Sequence, residues 1–249
     1  MSDYKKRFLN GFEILTHSRH PYEVWQDLMR MFANSISNVI ITHLKSKEEF
    51  EKVWNKREKE YLDTINKYTK KEQNIICQMF ALLVKELEEN PNQDLLGSIY
   101  MMANISNKNT GQVFTSYDIC ELMAKISFDR KSLGKIVHKN GYASVNDCAC
   151  GGGATLIAAV NECRDMFKKY NYQNHVYFVG QDIDATCAQM CYIQLSLLGV
   201  AGYIVIGDTL TEPVITDLNR VYFTPVWFSD VWTMRRLFHN QDIFGRERN

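Results

Sequence analysis

Residues 145–156, which read VNDCACGGGATL, constrain this chain more than any other stretch. An apolar approach ends in an acid, three glycines follow, and a helical pattern begins. This order predicts a strand, a tight turn and the first turn of a helix. Glycine has no Cβ, so such a turn allows a ligand to approach the backbone closely. The unpaired N–H groups of the helix start would point toward that ligand.

The composition limits the classes of protein that the chain can belong to. Its 249 residues suffice for one large domain or two small ones, and a hydrophobic content of 45% suffices for a core. The 29 basic and 29 acidic residues cancel, so any nucleic-acid contact must come from a local patch or a partner. Neither a signal peptide nor an apolar run long enough for a membrane span is visible, so we expect a cytoplasmic protein without membrane contact.

The first hundred residues predict helices. Residues 20–23 open one of them, because proline is favoured in the first turn. Residues 46–49 read as a capping box, and a further helix is predicted over 69–89 and ended by residues 90–92. We expect a helical N-terminal domain over residues 1–105 and a second domain over residues 106–249.

In the second half, helical patterns alternate with short apolar runs. The predicted strands are 143–148, 176–180 and 203–206, with a short apolar run at 221–223. The predicted helices begin near residue 117 and continue at 154–169, 185–198 and 229–239. Strands separated by helices indicate βαβ units, and therefore an α/β fold with a parallel sheet.

An acid lies at or just after the carboxyl end of each of the first three predicted strands: Asp147, Asp182 and Asp208. In a doubly wound sheet, ligands bind beyond the carboxyl ends of the strands. Asp182 is placed to accept hydrogen bonds from ribose hydroxyls, and Asp208 lies where an adenine amino group would be met. An acid at one strand end is usually a helix cap, but three in register favour a nucleotide-like ligand.

The seven cysteines and six histidines do not predict a metal site. No CxxC pair occurs, and the histidines form no cluster. Cys148 with Cys150, and Cys187 with Cys191, have spacings that could ligate a metal. Buried free cysteine is the more common role, so we expect no metal.

Five segments in order resemble the N6-adenine DNA methylases, which include the modification subunits of type I restriction-modification systems. Residues 94–100 (DLLGSIY) resemble the entry segment of that family, and residues 111–115 (GQVFT) resemble its phenylalanine-threonine motif. Residues 147–153 (DCACGGG) resemble its cofactor loop, and 180–184 (GQDID) and 207–210 (GDTL) resemble the next two motifs of the family. The resemblance covers roughly residues 94–210.

This resemblance implies a Rossmann-like class I methyltransferase core and S-adenosylmethionine as the cofactor. The family's phenylalanine-threonine motif packs on the methionine part of that cofactor. The positions that the resemblance assigns to cofactor binding are Phe114, Thr115, Asp147, Ala149, Cys150, Gly151, Gly153, Asp182, Ile183 and Asp208. It also implies methyl transfer to a flipped adenine in DNA.

The chain departs from the family in the catalytic tetrapeptide, Asn/Asp/Ser-Pro-Pro-aromatic, which is absent. The nearest candidate is Thr224-Pro225-Val226-Trp227, in which Thr224 would accept a hydrogen bond from the adenine amino group and Trp227 would stack on the base. The alternative is that Trp227 and Phe228 are core residues beside a turn. Arg235 and Arg236 nearby could meet phosphate, although a surface role is the more common one.

The second departure is length, because only 24 residues follow Pro225. The last strands of the family's sheet are missing, so we expect a truncated parallel sheet whose fourth strand is an exposed edge. The helical N-terminal domain, a second copy or another subunit would cover it. DNA would be met through a partner or recognition subunit.

Three functions remain open from the sequence. The first is an adenine-N6 DNA methyltransferase, and the second is a cofactor-binding or regulatory protein of the same descent without turnover. The third is a methyltransferase that acts on a small molecule or a protein, because a fold does not fix a function.

Overall fold

The computed structural model describes residues 1–44, 47–105, 114–167 and 171–246. The helices within these ranges are α1 (Asp3–Thr16), α2 (Pro21–Ile41), α3 (Glu48–Ile65), α4 (Lys70–Glu89), α5 (Leu95–Met102), α6 (Tyr117–Ser127), α7 (Arg130–Asn140), α8 (Ala154–Met166), α9 (Ala185–Leu197) and α10 (Asp230–Phe238). The strands are β1 (Ala143–Asp147), β2 (Val176–Asp182), β3 (Gly202–Ile206) and β4 (Val221–Phe223). Short 3₁₀ turns lie at Thr42–Leu44, Tyr172–Asn174, Leu218–Arg220 and Pro225–Phe228.

The predicted starts of two N-terminal helices are confirmed. Pro21 occupies the first turn of α2, and the ring of His20 accepts the Tyr22 N–H at 3.3 Å. Thr69 and Glu72 form a capping box at α4, because the Glu72 N–H donates to the threonine side chain at 3.3 Å and the Thr69 N–H donates back to the carboxylate at 2.7 Å. The capping box predicted at 46–49 includes Ser46, which lies outside the described residues.

The sheet has the order β1-β2-β3-β4, and its first three strands are parallel as predicted. The expectation of a wholly parallel sheet is wrong for β4, which pairs antiparallel with β3. A parallel return would need a crossover, usually through a helix. The connection here is a loop instead, in which Arg220 donates to the Ile206 carbonyl at 2.8 Å and pairs with Glu212 at 2.7 Å. The loop thereby turns the chain back alongside β3.

The outer edge of β4 is covered by the N-terminal helices, one of the three possibilities that the sequence left open. The buried Arg57 of α3 donates to the Val221 carbonyl at 2.8 Å, and its guanidinium lies 4.0 Å from the centre of the Tyr222 ring. The Tyr222 hydroxyl donates to the side-chain oxygen of Asn34 in α2 at 3.1 Å. The outer edge of β4 is therefore covered by α2 and α3, whose residues are far from β4 in the sequence.

One hydrophobic core runs through both predicted domains. It includes Trp25 of α2, Met79 of α4, Ile157 of α8, Tyr192 of α9 and Phe178 of β2. Helix α2 packs directly on α9, which in turn covers the sheet. The domain boundary at residue 105 therefore stays a prediction, since the core does not separate the two parts.

The opposite face of the sheet carries an aromatic cluster. Tyr177 and Tyr203 of the sheet pack on Trp227 with ring centres 5.1 and 5.9 Å away, and Trp227 packs on Trp232 of α10 at 5.5 Å. These rings fill the space beneath α10 at the amino ends of the parallel strands.

Helix α6 exposes the apolar residues whose spacing predicted it. Ile119, Leu122, Met123 and Ile126 all face solvent, and Cys120 and Ala124 are the buried positions instead. Cys120 and Ala124 form one hydrophobic cluster with the small residues Ala154 and Ala158 of α8. Among the described helices, none is long and apolar enough to cross a membrane.

Candidate functional site

The three acids predicted at strand ends lie along one edge of the sheet. Asp147 ends β1 and pairs in register with Gly180 of β2, while Asp182 ends β2 and pairs with Ile206, the last residue of β3. Asp208 follows two residues after β3. Parallel strands present their carboxyl ends at the same edge, so the three carboxylates face the same side of the molecule.

The glycine loop between β1 and α8 requires glycine at defined positions. Gly151 and Gly153 have φ angles of +52° and +97°, a region that side chains with a Cβ rarely adopt. A Cβ on Gly153 would lie 2.9 Å from the sulfur of Cys191 and 3.1 Å from its Cα. The loop therefore lies tightly against α9 at Gly153, whereas a Cβ on Gly151 would meet only the Phe114 ring, at an ordinary contact distance of 3.9 Å.

The carboxylate of Asp182 links this loop to β2. The Gly151 N–H donates to one of its oxygens at 2.8 Å, and the Asp184 N–H donates to the other at 2.9 Å. The Cys150 N–H donates to the Gln181 carbonyl at 3.0 Å. A carboxylate has about four lone-pair directions, so Asp182 retains room for hydroxyl donors from a ligand.

The carboxylate of Asp147 fixes the start of the loop. It accepts the Ala149 N–H at 3.0 Å and the hydroxyl of Thr155 in the first turn of α8. The hydroxyl of Thr209, next to Asp208, donates to the Cys148 carbonyl at 2.6 Å. The segments after β1 and β3 are thereby joined across the edge of the sheet.

Asp208 is held in its ionised form. The backbone N–H of Leu210, at 2.9 Å, and the Thr211 side chain donate to it, and these hydrogen bonds lower the pKa of the carboxyl group. An ionised acid at this position is an acceptor for an amino group of a ligand.

The side chain of Ile183 is 71% exposed at this otherwise polar edge. It lies directly after Asp182, where an apolar side chain can pack against a flat ring. Helix α8 begins at Ala154, and no side chain of the described residues caps its first turn. The N–H groups and positive end of α8 can therefore receive an anionic group, so the residues present fit a nucleoside ligand that carries a carboxylate or another anionic group.

Phe114 is packed against the glycine loop, and the contact with a cofactor that the resemblance implied for it stays a prediction. Its ring would lie 3.4 Å from a Cβ on Gly152, and it meets Tyr100 of α5 edge-on with ring centres 5.2 Å apart. Thr115 follows as an exposed residue. Residues 111–113 of the same motif lie outside the described residues.

A buried pair that sequence reasoning missed holds the back of the loop. The Gln194 side chain of α9 donates to the Gly152 carbonyl and to the Asp94 carboxylate, both at 2.8 Å, and accepts the Leu96 N–H at 3.0 Å. Burial raises the pKa of Asp94, against the opposing effect of its hydrogen bonds with Gln194 and Gly97. A glutamine inside the uniformly buried α9 was the available signal.

The structure does not bring Thr224, Pro225 and Trp227 to this edge. Because β4 runs antiparallel, its end meets the start of β3, and the Thr224 hydroxyl donates to the Gly202 carbonyl at 3.0 Å. Thr224 is fully buried and Trp227 is 1% exposed. This placement corresponds to the alternative in which Trp227 is a core residue beside a turn.

The two arginines considered for phosphate contact lie in the same region. Arg236 is buried, donates to the Trp227 carbonyl at 2.8 Å and stacks on that ring. Burial lowers its pKa to about 10. Arg235 lies over the Trp232 ring and contacts His175 at 3.2 Å. Both therefore contribute to the packing of α10.

The cysteines are all free in the described part of the chain, and no group of three or more His, Cys, Asp or Glu there could hold a metal ion. Cys150 and Cys191 are buried beneath the glycine loop, and burial raises the pKa of the Cys191 thiol well above its usual value. Cys148 is exposed on the loop.

Two comparisons with known proteins agree with this arrangement. The family model described as N-6 DNA Methylase matches residues 91–245, which include the glycine loop and all four strands. A stretch of 178 residues is 29% identical to the type I restriction enzyme MpnII methylase subunit of Mycoplasma pneumoniae (strain ATCC 29342 / M129 / Subtype 1). That match takes in 67% of this chain and 30% of the subunit, so the chain spans under a third of that relative's length.

Proposed function

The chain belongs to the N-6 DNA methylase family, and from this premise we propose that it binds S-adenosylmethionine for the methylation of adenine N6 in DNA. One observation carries the proposal. The hydrogen bond from the Gly151 N–H to Asp182 joins the glycine loop after β1 to the acid after β2. Loop and acid together form one continuous surface at the carboxyl ends of the strands, where ligands of such sheets bind.

Each predicted residue has a part in this proposal. The carboxylate of Asp182 accepts hydrogen bonds from the ribose hydroxyls, and Ile183 packs against the adenine ring of the cofactor. The carboxylate of Asp208 accepts a hydrogen bond from the amino group of that ring. Phe114 and Thr115 pack on the methionine part, whose carboxylate meets the free N–H groups of α8.

The loop residues supply shape rather than chemistry. Gly151 and Gly153 keep the backbone close to the cofactor, while Asp147, Ala149 and Cys150 fix the path of the loop. When bound, S-adenosylmethionine supplies an electrophilic methyl group. The residues around it hold that group in place, and positioning is the main source of rate in such transfers.

The target base needs partners beyond those at this edge. Thr224 and Trp227 lie at the other end of the sheet, bonded to Gly202 and packed among aromatic rings. We propose that the groups that receive the flipped adenine come from a recognition or modification subunit. DNA contact would be shared with that subunit.

Methyl transfer from radiolabelled S-adenosylmethionine tests this function directly, with the chain in its complex with the recognition or modification subunit. The acceptors are a DNA duplex with unmodified adenine and the same duplex with N6-methyladenine at every adenine. The proposal predicts label in the unmodified duplex alone, and none with Asp182→Ala. Label of equal amount in both duplexes would contradict adenine N6 as the acceptor.

A second candidate is a cofactor-binding protein of this family without turnover. The buried position of Thr224 favours it, because a fully buried hydroxyl bonded to a backbone carbonyl cannot receive a base. Binding of S-adenosylmethionine by calorimetry, with no label transferred to DNA under any condition, would select this candidate and exclude the first for this chain.

A further inference from the structure

Helix α7 has a basic face unlike that of any other described helix. Lys131, Lys135 and Lys139 recur every fourth residue, and all three are exposed. His138 is exposed on the adjoining position. The eleven residues of α7 contain no acid, although the chain as a whole carries 29 acidic and 29 basic residues. We call these four residues the α7 basic face.

The lysines of this face have no carboxylate within 4.0 Å among the described residues. Ion pairs of that length do engage other exposed lysines, namely Lys52 with Glu48, Lys59 with Asp63 and Lys85 with Glu88. The nearest acid in the chain order, Asp129, caps α7 by accepting the Ser132 N–H at 2.8 Å and attracts Lys135 without forming an ion pair within 4.0 Å.

Arg130 does not add to this face. It donates to the Met166 carbonyl at the end of α8 at 3.0 Å, which attaches α7 to the body of the protein. The buried Leu133 anchors the opposite side of the helix. The α7 basic face is therefore held outward by a fixed helix.

Gly134 of α7 is half-buried, lies in the same helical row as His138 and has no structural reason to be glycine. A Cβ there would have nothing within 4 Å, and its φ is not in the left-handed region. Glycine inside a helix is less stable than alanine. Without a side chain at this position, a ligand can reach the helix backbone between Lys131 and Lys135.

We propose that the α7 basic face binds the phosphate backbone of DNA, a proposal that rests on the proposed function of the chain. Side chains four apart in a helix are separated by about 6 Å along the axis, so the three lysines span about 12 Å. Such a row of exposed lysines fits a regular polyanion and carries no sequence information.

Helix α7 lies at the amino ends of the strands, because it precedes the start of β1 and Arg130 reaches Met166 at the end of α8. Helix α7 leads through Gly141 into β1, and the five residues of β1 end at the glycine loop. Five strand residues span about 16 Å, which a duplex of modest length exceeds. A duplex that contacts the α7 basic face therefore has to run along the side of the sheet to present a base near the loop.

The test measures binding of a labelled 20-bp duplex to the full chain over a range of salt concentrations. In one variant, Lys131, Lys135 and Lys139 are all changed to Gln. The control changes Lys52, Lys59 and Lys85 to Gln, which removes the same charge from paired surface lysines. S-adenosylmethionine affinity is measured for each protein.

The proposal predicts at least about a 10-fold loss of duplex affinity for the α7 variant at 0.1 M salt, and a salt slope lower by about 2 to 3, since each phosphate contact contributes about 0.9. The control should stay within about 2-fold of the wild type. Equal losses in both variants, or none in either, would overturn the proposal. Tighter binding of a single-stranded RNA through the same lysines would overturn the assignment to DNA.

Gly134→Ala provides a variant in which folding is favoured. We expect a higher thermal midpoint together with weaker duplex binding. A stabilised variant with wild-type duplex affinity would contradict contact at this face. If the wild-type protein did not bind S-adenosylmethionine, this would instead contradict the proposed function, because cofactor binding does not depend on α7.

Discussion

The two ends of the sheet differ in the residues that lie beyond the strands. At the carboxyl ends of β1, β2 and β3, acids and glycines form an open edge in which the Gly151 N–H reaches Asp182 at 2.8 Å. At the opposite end, Trp227 packs among Tyr177, Tyr203 and Trp232, and the Thr224 hydroxyl is bonded to a buried carbonyl.

This difference shows that strand direction decides the meaning of a motif. A polar residue after a short apolar run looks the same in the sequence at Asp182 and at Thr224. Strand β2, which ends at Asp182, runs parallel to β3, so Asp182 lies at the carboxyl ends of the strands with the glycine loop. Strand β4 runs antiparallel to β3, so Thr224 lies at the amino ends of the parallel strands. A function read from such a motif depends on a direction that the motif does not contain.

Trp227→Ala should give the largest effect, a loss of about 4 kcal/mol in the free energy of unfolding, as is usual when a large core aromatic is truncated. Urea unfolding measures it. Trp227→Phe, which keeps more of the packing, should bind S-adenosylmethionine as tightly as the wild type. Weakened cofactor binding in the folded Trp227→Phe protein would remove the distinction between the two ends.

Gly153→Ala should lose about 3 kcal/mol of stability, because a left-handed backbone and the close approach of Cys191 both oppose a Cβ. Gly151→Ala is the matched control. It shares the positive φ, but a Cβ there would meet only the Phe114 ring at 3.9 Å, so a loss of about 1 kcal/mol is expected. Equal losses in thermal or urea unfolding would mean that the loop is not packed against α9 as described.

Gln194→Leu should weaken S-adenosylmethionine binding about 10-fold and cost about 2 kcal/mol of stability, since the Gly152 carbonyl and the Leu96 N–H lose their partner. Gln189→Leu tests the same change on the same helix. Gln189 donates to the Tyr222 hydroxyl at 3.3 Å, away from the loop, so its loss should leave cofactor affinity unchanged. Calorimetry on both proteins decides, and equal affinities would show that Gln194 does not position the loop.

The smallest expected effects come from a pair of threonines. Thr224→Val removes one hydrogen bond at the amino end and should cost about 1 kcal/mol without changing cofactor affinity. Thr209→Val makes the same change at the carboxyl end, where the hydroxyl donates to Cys148, and should weaken S-adenosylmethionine binding about 3-fold. The reverse pattern in the binding titrations would place the functional end of the sheet at β4.

Much of the second half was predictable from the sequence because its signals are local. The strands at 143, 176 and 203 and the glycine-rich turn follow from apolar runs and turn residues, and the structure confirms them within two residues. Gly199, directly after the predicted helix 185–198, has a φ of +68°, as is common for a glycine that ends a helix. These features depend on neighbours in the chain.

The features that the sequence did not predict depend on distant partners. The direction of β4 follows from a loop held by Arg220, and its cover comes from Arg57, 164 positions before Val221. Helix α6 was predicted by its apolar spacing, but that stripe faces solvent. Helices α1, α5 and α7 were missed, and the link between Gln194 and Asp94 joins residues 100 positions apart.

Titration of S-adenosylmethionine into the full chain, followed by calorimetry, tests the central claim most directly. The account predicts micromolar binding that falls at least about 100-fold in Asp182→Ala, because a charged acceptor and the anchor of Gly151 are lost together. Asp184→Ala, which removes only the cap of α9, should bind like the wild type. No binding to the wild type at millimolar cofactor, or equal losses in the two variants, would contradict the account.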